Sequence, residues 1–219
     1  MPGDLVKYTL LLVCLSLTAC AGPFTKTSQD RRQCDETADQ AVARGDWPAA
    51  LKEHERVLAA APDHCLVMYH LGYIWGQLQD RRLEIHYYQK ALSCGYQDDD
   101  QIHLNLGMAY FDLGEFENAS RHVGKAVAAN PDSADNLFGL GVVSLAAGQA
   151  DAAEKAWLDS VLKDPNHLQA RLSLVRLYLN QSRWQAARDQ LDAVNARDPS
   201  NAEAEDLRLV LEARERIEY

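Results

Sequence analysis

Apolar residues recur along most of the chain with the period of amphipathic helices. Segments that begin at residues 31, 65, 100, 134 and 168 carry mostly apolar or small side chains at their fourth, seventh, eighth and eleventh positions. This i, i+3, i+4, i+7 spacing puts four side chains on one face of a helix. In the second segment these residues are Met68, Leu71, Gly72 and Trp75. Each segment is therefore predicted to open with a helix that buries one face.

A second helix is predicted in each segment. A small residue recurs at the twentieth position of four segments, and larger apolar residues follow one and two turns later. The small residues are Ala50, Ala119, Ala153 and Ala187. Pro131, Pro165 and Pro199 close successive segments at intervals of 34 residues, and proline ends a helix because it lacks a backbone N–H. The chain is thus predicted to repeat a pair of helices.

Glycine recurs at the eighth position of three successive segments. Gly72, Gly107 and Gly141 lie 35 and 34 residues apart, inside first helices. Glycine in a helix costs about 1 kcal/mol relative to alanine, so its recurrence predicts a steric requirement. We expect small residues on both helices of a pair to let the two backbones cross closely there, with the larger apolar residues filling the space around the crossing.

These features resemble the tetratricopeptide repeat family over residues 31–201. The segments Leu106–Tyr110 and Leu113–Ala119, together with Asn130 and Pro131, are close to the family consensus. The resemblance implies an all-α fold, a right-handed superhelical solenoid of five helix-turn-helix repeats. The predicted repeats are 31–64, 65–98, 100–133, 134–167 and 168–201. A capping helix over 202–219 is expected to follow, with Leu207, Val210, Leu211 and Ile217 facing inward.

The first twenty residues differ from the rest of the chain in their pattern of apolar and charged residues. Residues 8–19 are apolar or small after Lys7, which is typical of a signal peptide and shorter than the roughly 20 residues of a membrane-spanning helix. The sequence from Leu17 to Cys20 resembles the lipobox of bacterial lipoproteins. That resemblance implies a signal peptide over 1–19, lipidation of Cys20 and a tether over 20–30. The alternative is a secreted or uncleaved N-terminus in which Cys20 is an ordinary thiol.

Ala21, not Asp, follows Cys20. In the enterobacterial sorting pattern this implies the periplasmic face of the outer membrane, with the inner membrane as the alternative.

The resemblance also implies a binding groove, because first helices of this family line the concave surface through positions 2, 5, 9 and 12. Apolar side chains at these positions predict a surface that binds an amphipathic helix or an extended apolar segment. The alternative is that adjacent repeats bury them. The predicted groove residues are Leu66, Tyr69, Tyr73, Leu104, Met108, Phe111, Phe138, Val142, Leu145, Leu172 and Leu179.

Charge narrows the class of partner. The formal net charge of −10 disfavours nucleic acid, whose phosphates would meet a repulsive surface. Relatives that bind Hsp70 or Hsp90 hold a C-terminal carboxylate with Lys, Arg and Asn, whereas this chain has Asp35 and Asp39 at two such positions of the first repeat. A carboxylate clamp is therefore not expected, and basic or apolar partners suit the surface better.

Cysteine pairing is predicted from helix geometry. Cys65 opens a first helix and Cys94 ends the second helix of the same pair, and antiparallel helices bring those ends together. In an oxidising periplasm a disulfide between them is expected, with Cys34 left over; three free thiols are the alternative.

Motifs of enzymes and metal sites are missing from the sequence. It has no His-Glu-x-x-His, no Cys-x-x-Cys, no phosphate-binding glycine loop and no nucleophile elbow. We therefore predict no catalytic activity, no cofactor and no metal site. His70, His86, His103 and His122 are interpreted as packing or surface residues.

Taken together, these patterns predict a non-enzymatic, lipid-anchored scaffold that binds other envelope proteins. The plan is similar to that of type IV pilus pilotins, and this resemblance implies a secretin subunit as partner. The alternative is an adaptor that recruits peptidoglycan hydrolases or proteases.

Overall fold

In a computed structural model, residues 36–96 and 99–218 are described, and all regular structure within them is α-helical. The prediction of an all-α chain is confirmed. The predicted signal peptide, the tether, Cys20, Cys34 and Asp35 lie outside the described residues. The helices are α1 (Glu36–Ala43), α2 (Trp47–Ala60), α3 (Cys65–Gln77), α4 (Arg81–Cys94), α5 (Asp99–Asp112), α6 (Phe116–Ala129), α7 (Ala134–Ala146), α8 (Ala150–Lys163), α9 (Leu168–Asn180), α10 (Trp184–Arg197) and α11 (Ala202–Glu218).

Helix ends follow from local side chains. The carboxylates of Asp46 and Asp80 accept hydrogen bonds from backbone N–H groups in the first turns of α2 and α4, at 3.2 and 3.1 Å, so each satisfies a donor that the helix itself cannot. The turn between α5 and α6 uses Gly114 at φ 75°, a left-handed conformation that costs glycine little. Gln79 and Ser182 adopt the same conformation, at φ 62° and 57°, in other turns.

Consecutive helices pack as pairs, and the recurrent glycines lie where they cross. A Cβ atom added at Gly72 would come within 2.6 Å of the Tyr88 ring, and one at Gly107 would come within 2.6 Å of Val123 Cγ2. The alanines at the twentieth position, from Ala50 to Ala187, are fully buried. The predicted steric requirement for small residues at the crossings is thus confirmed.

The described residues form two compact units. In the first, residues 36–96, α1, α2 and α3 contribute to a small core in which Ala41, Ala50 and Ile74 pack together. In the second, residues 99–218, the core built by α7 to α11 includes Trp157 and Leu174.

The last helix, α11, packs against α9 and α10. Leu211 and Ala204 are buried in the core of the second unit, and Leu207 packs against it. Val210 is 41% exposed, so the prediction that it faces inward is wrong. Consecutive side chains of a helix point about 100° apart. Because Leu211 points into the core, the side chain of Val210 points away from it. The side chain of Ile217 lies outside the described residues.

Within the described residues, no helix is both long and apolar enough to cross a membrane.

Candidate functional site

Three of the predicted groove residues lie on α3 in the first unit. Leu66 is buried, so its prediction as a surface residue is wrong. Tyr69 is half-buried because its ring stacks on Tyr96, with centroids 4.6 Å apart. Tyr73 is 37% exposed, and its ring contacts the edge of Trp47 at a centroid distance of 6.0 Å. Tyr73 is therefore the one of the three that offers substantial apolar surface to a partner.

In the second unit, three predicted groove residues are buried by neighbouring helices. Leu104 packs onto α7, where a Cβ added at Gly139 would lie 2.7 Å from Leu104 Cδ1. Leu172 and Leu179 belong to the core that also contains Ala204 and Leu211 of α11. Their prediction as exposed groove residues is wrong, because packing against the next helices covers them.

The other five predicted residues of the second unit keep part of their surface. Phe138 and Val142 pack against the edge of the core, and the Phe138 ring lies 5.0 Å from that of His167. Phe111 meets the edge of the Phe116 ring at 5.6 Å. Leu145 is 43% exposed. The remaining member, Met108, is half-buried.

Sequence reasoning missed a further apolar surface on α8. Leu158 and Leu162 are both exposed, Leu162 to 76%, and residues four apart lie on one side of a helix. The signal was their position: they follow, by one residue each, Trp157 and Val161, which pack in or against the core. A rotation of about 100° per residue takes Leu158 and Leu162 away from it.

A polar cluster in the first unit was also missed. It comprises Asp39 of α1, His54 of α2 and His70 of α3, each of which offers one ligand-type atom within 4.8 Å of the others. His54 Nε2 lies 3.0 Å from His70 Nδ1. Burial, with smaller contributions from His54 and His64, lowers the pKa of His70 to about 3. The three residues are 15 and 16 positions apart, so no local motif marks them.

A second histidine pair lies in the second unit. His103 of α5 and His122 of α6 approach to 3.2 Å between their Nδ1 atoms, and the His122 ring stacks near Tyr110 at 5.5 Å. Burial first, and then the charges of His103, Lys125 and Arg121, lower the pKa of His122 to about 4. The ring is therefore neutral at pH 7.

The structure joins Cys65 and Cys94 in a disulfide, with their Cα atoms 5.4 Å apart. The bond links the first residue of α3 to the last residue of α4. It lies where the antiparallel geometry of the pair predicts. Its formation in the protein stays a prediction that thiol chemistry tests.

The repeated helix pairs, with a glycine at the same position of successive first helices, match a known family. One tetratricopeptide repeat family model matches residues 104–167 and a second matches residues 158–210. Residues 104–210 belong to the tetratricopeptide repeat family. Such repeats are generally non-enzymatic scaffolds that bind peptides or other proteins, so this part of the chain is a protein-interaction scaffold.

Solved structures with tetratricopeptide repeats share the fold. PilW, described as a widely conserved type IV pilus biogenesis factor, is 19% identical with a TM-score of 0.69, over 78% of this chain and 80% of PilW. PilF of Pseudomonas aeruginosa is 19% identical with a TM-score of 0.67, over 82% of this chain and 83% of PilF.

A curated relative is protein O-mannosyl-transferase TMTC1 of Homo sapiens, which is 26% identical over 129 residues. The matching stretch is 59% of this chain but 14% of that protein.

Proposed function

We propose that the protein is a non-enzymatic scaffold, anchored through lipidated Cys20 at the periplasmic face of the outer membrane, that holds a subunit of an envelope complex. One observation carries the proposal: a lipobox-like sequence, Leu17 to Cys20, precedes tetratricopeptide repeats in the same chain. Two acyl chains or more anchor a protein stably, so lipidation would keep the scaffold at the membrane.

The proposed partner is a secretin subunit of the type IV pilus. The fold shared with PilW, a type IV pilus biogenesis factor, agrees with this choice. In the first unit, the exposed apolar side chain of Tyr73 suits an amphipathic helix or an extended apolar segment of the partner. The net charge of −10 favours a segment that also carries basic residues, since opposite charge speeds encounter and fixes register.

Deletion of the gene in the source bacterium tests this function. We expect loss of secretin multimers from the outer membrane, restored by the wild-type gene but not by Cys20→Ala, because the unlipidated scaffold would leave the membrane. Unchanged multimers after deletion would contradict the secretin proposal. A change in peptidoglycan hydrolase or protease levels instead would identify the adaptor alternative.

A matched pair of surface variants tests the contact itself. Tyr73→Ala removes exposed apolar surface and should weaken binding of purified secretin at least about tenfold if Tyr73 anchors the partner. Lys155→Ala changes an exposed residue of α8 that pairs with Asp159 four residues later, and it should leave binding unchanged. Equal affinity of wild type and Tyr73→Ala would exclude Tyr73 from the interface.

A further inference from the structure

We infer that Asp39, His54 and His70 form a site for a first-row divalent transition metal, with Zn²⁺ as the ion that its ligands favour. Two imidazoles and one carboxylate are ligands that Zn²⁺ takes in proteins, and three protein ligands leave a fourth position for water. Within the described residues, this is the one group of three such side chains whose ligand atoms lie within 4.8 Å of one another.

The hydrogen bonding of His54 prepares one ligand atom. Its Nδ1 lies 2.8 Å from the carbonyl oxygen of Ala50, and because a carbonyl only accepts, Nδ1 carries the proton. The lone pair of the neutral ring is then on Nε2, the atom that faces His70. Metal-binding histidines usually donate their other N–H to such a partner, which fixes the tautomer and the ring orientation.

The spacing of the two rings fits a shared ion after a small adjustment. His54 Nε2 and His70 Nδ1 are 3.0 Å apart, whereas two nitrogens each about 2.0–2.1 Å from a tetrahedral ion are about 3.3 Å apart. The His70 proton that now lies between the rings would move to His70 Nε2. That change of tautomer keeps both imidazoles neutral and releases no proton.

The location of the site suggests its physical role. Asp39 is on α1, His54 on α2 and His70 on α3, so one ion would link three successive helices. Helix α1 has 8 residues, a length that is marginal on its own. The ion would therefore hold α1 against α2 and α3 within the first unit, as the Cys65–Cys94 disulfide links α3 to α4.

Equilibrium dialysis against Zn²⁺, followed by elemental analysis, tests the site. The protein is purified from membranes in detergent without a histidine tag, in a Cys34→Ser background so that this thiol supplies no ligand. We expect one tightly bound ion per chain. Asp39→Asn and His70→Gln should each weaken binding at least about tenfold. The visible absorption of bound Co²⁺ gives a second readout, since its intensity distinguishes four-coordinate from six-coordinate ions.

His122→Gln is the matched control, because it breaks the other close histidine pair, at 3.2 Å from His103, outside the proposed site. It should bind the ion like the parent protein. Circular dichroism of each variant without metal checks folding, and Asp39→Asn, at a half-buried position, keeps the test valid if His70→Gln unfolds. Absence of a bound ion in the parent, or equal binding by folded Asp39→Asn and the parent, would overturn the inference.

Discussion

The indole Nε1–H of Trp157 donates a hydrogen bond to the main-chain oxygen of Phe138, at 3.2 Å, across the α7–α8 pair. The indole ring also lies directly against Gly141, where an added Cβ would overlap it. One buried side chain thus fills the crossing and satisfies a carbonyl of the partner helix. This arrangement explains why the repeat requires glycine at this position of α7.

Replacement of Gly141 by alanine should destabilise the second unit. The new methyl group would force the buried indole of Trp157 to move, and overpacking of this kind costs about 1–3 kcal/mol. We expect a lower urea midpoint, measured by tryptophan fluorescence and circular dichroism.

Gly124→Ala is the control for this effect. Gly124 lies within α6, is exposed, and an added Cβ would meet nothing within 4 Å. Alanine is the better helix former by about 1 kcal/mol, so this variant should gain stability. A loss of stability in both variants would show that the effect at position 141 is not due to the Trp157 contact.

These glycines were predictable because the pairing of helices is local in sequence. The phase of Gly107 relative to Ala119 and Val123 is visible within 17 residues (107–123). Burial of Leu172 was not predictable in this way, because Leu172 belongs to a core that also contains Ala204 and Leu211 of α11, and α11 contacts α9 only after the chain returns past α10. The Asp39–His54–His70 cluster was not predictable for the same reason. The packing of three helices brings its members together, and no spacing within one helix marks them.

Loss of the disulfide should destabilise the first unit. Cys65 and Cys94 are separated by 29 residues, and closing a loop of that length removes chain entropy worth about 3–4 kcal/mol from the unfolded state. Cys65→Ser should therefore lower the melting temperature, and reduction of the wild type should have a similar effect. Cys34→Ser serves as the control and should not remove the effect of reduction.

Thiol labelling decides whether the bond forms. After denaturation, the mature, unreduced protein should expose one reactive thiol, that of Cys34. Lipid-modified Cys20 should not be labelled, because its sulfur carries the lipid. Three labelled thiols would rule out the bridge between Cys65 and Cys94.

Acid should weaken the fold partly through His122. Its pKa is lowered to about 4 in the folded protein, whereas the unfolded chain protonates it near the ordinary value of about 6.5. Between these values the unfolded state binds more protons, so the free energy of unfolding falls as pH decreases from about 6.5 to 4. The upper limit for one histidine is about 1.4 kcal/mol per pH unit, reduced here by solvent around the half-buried ring.

His122→Gln removes this titration. Urea denaturation of wild type and variant at pH 7, 6 and 5 should give a stability difference that shifts in favour of the variant as pH falls, and no such shift between pH 7 and 8. Parallel curves for both proteins from pH 7 to 5 would exclude His122 as an acid-sensitive group.

Two leucines that the sequence pattern assigns to the same groove should differ strongly in their response to truncation. Leu172 is fully buried against the core, while Leu145 is 43% exposed. Leu172→Ala leaves a cavity and should lower the free energy of unfolding by about 2–5 kcal/mol. Leu145→Ala should change it by no more than about 0.5 kcal/mol, as is usual for surface positions. Equal losses in urea denaturation would contradict the expected difference in burial between the two positions. A large loss at Leu145 alone would mean that this residue is a core position, unavailable to a partner.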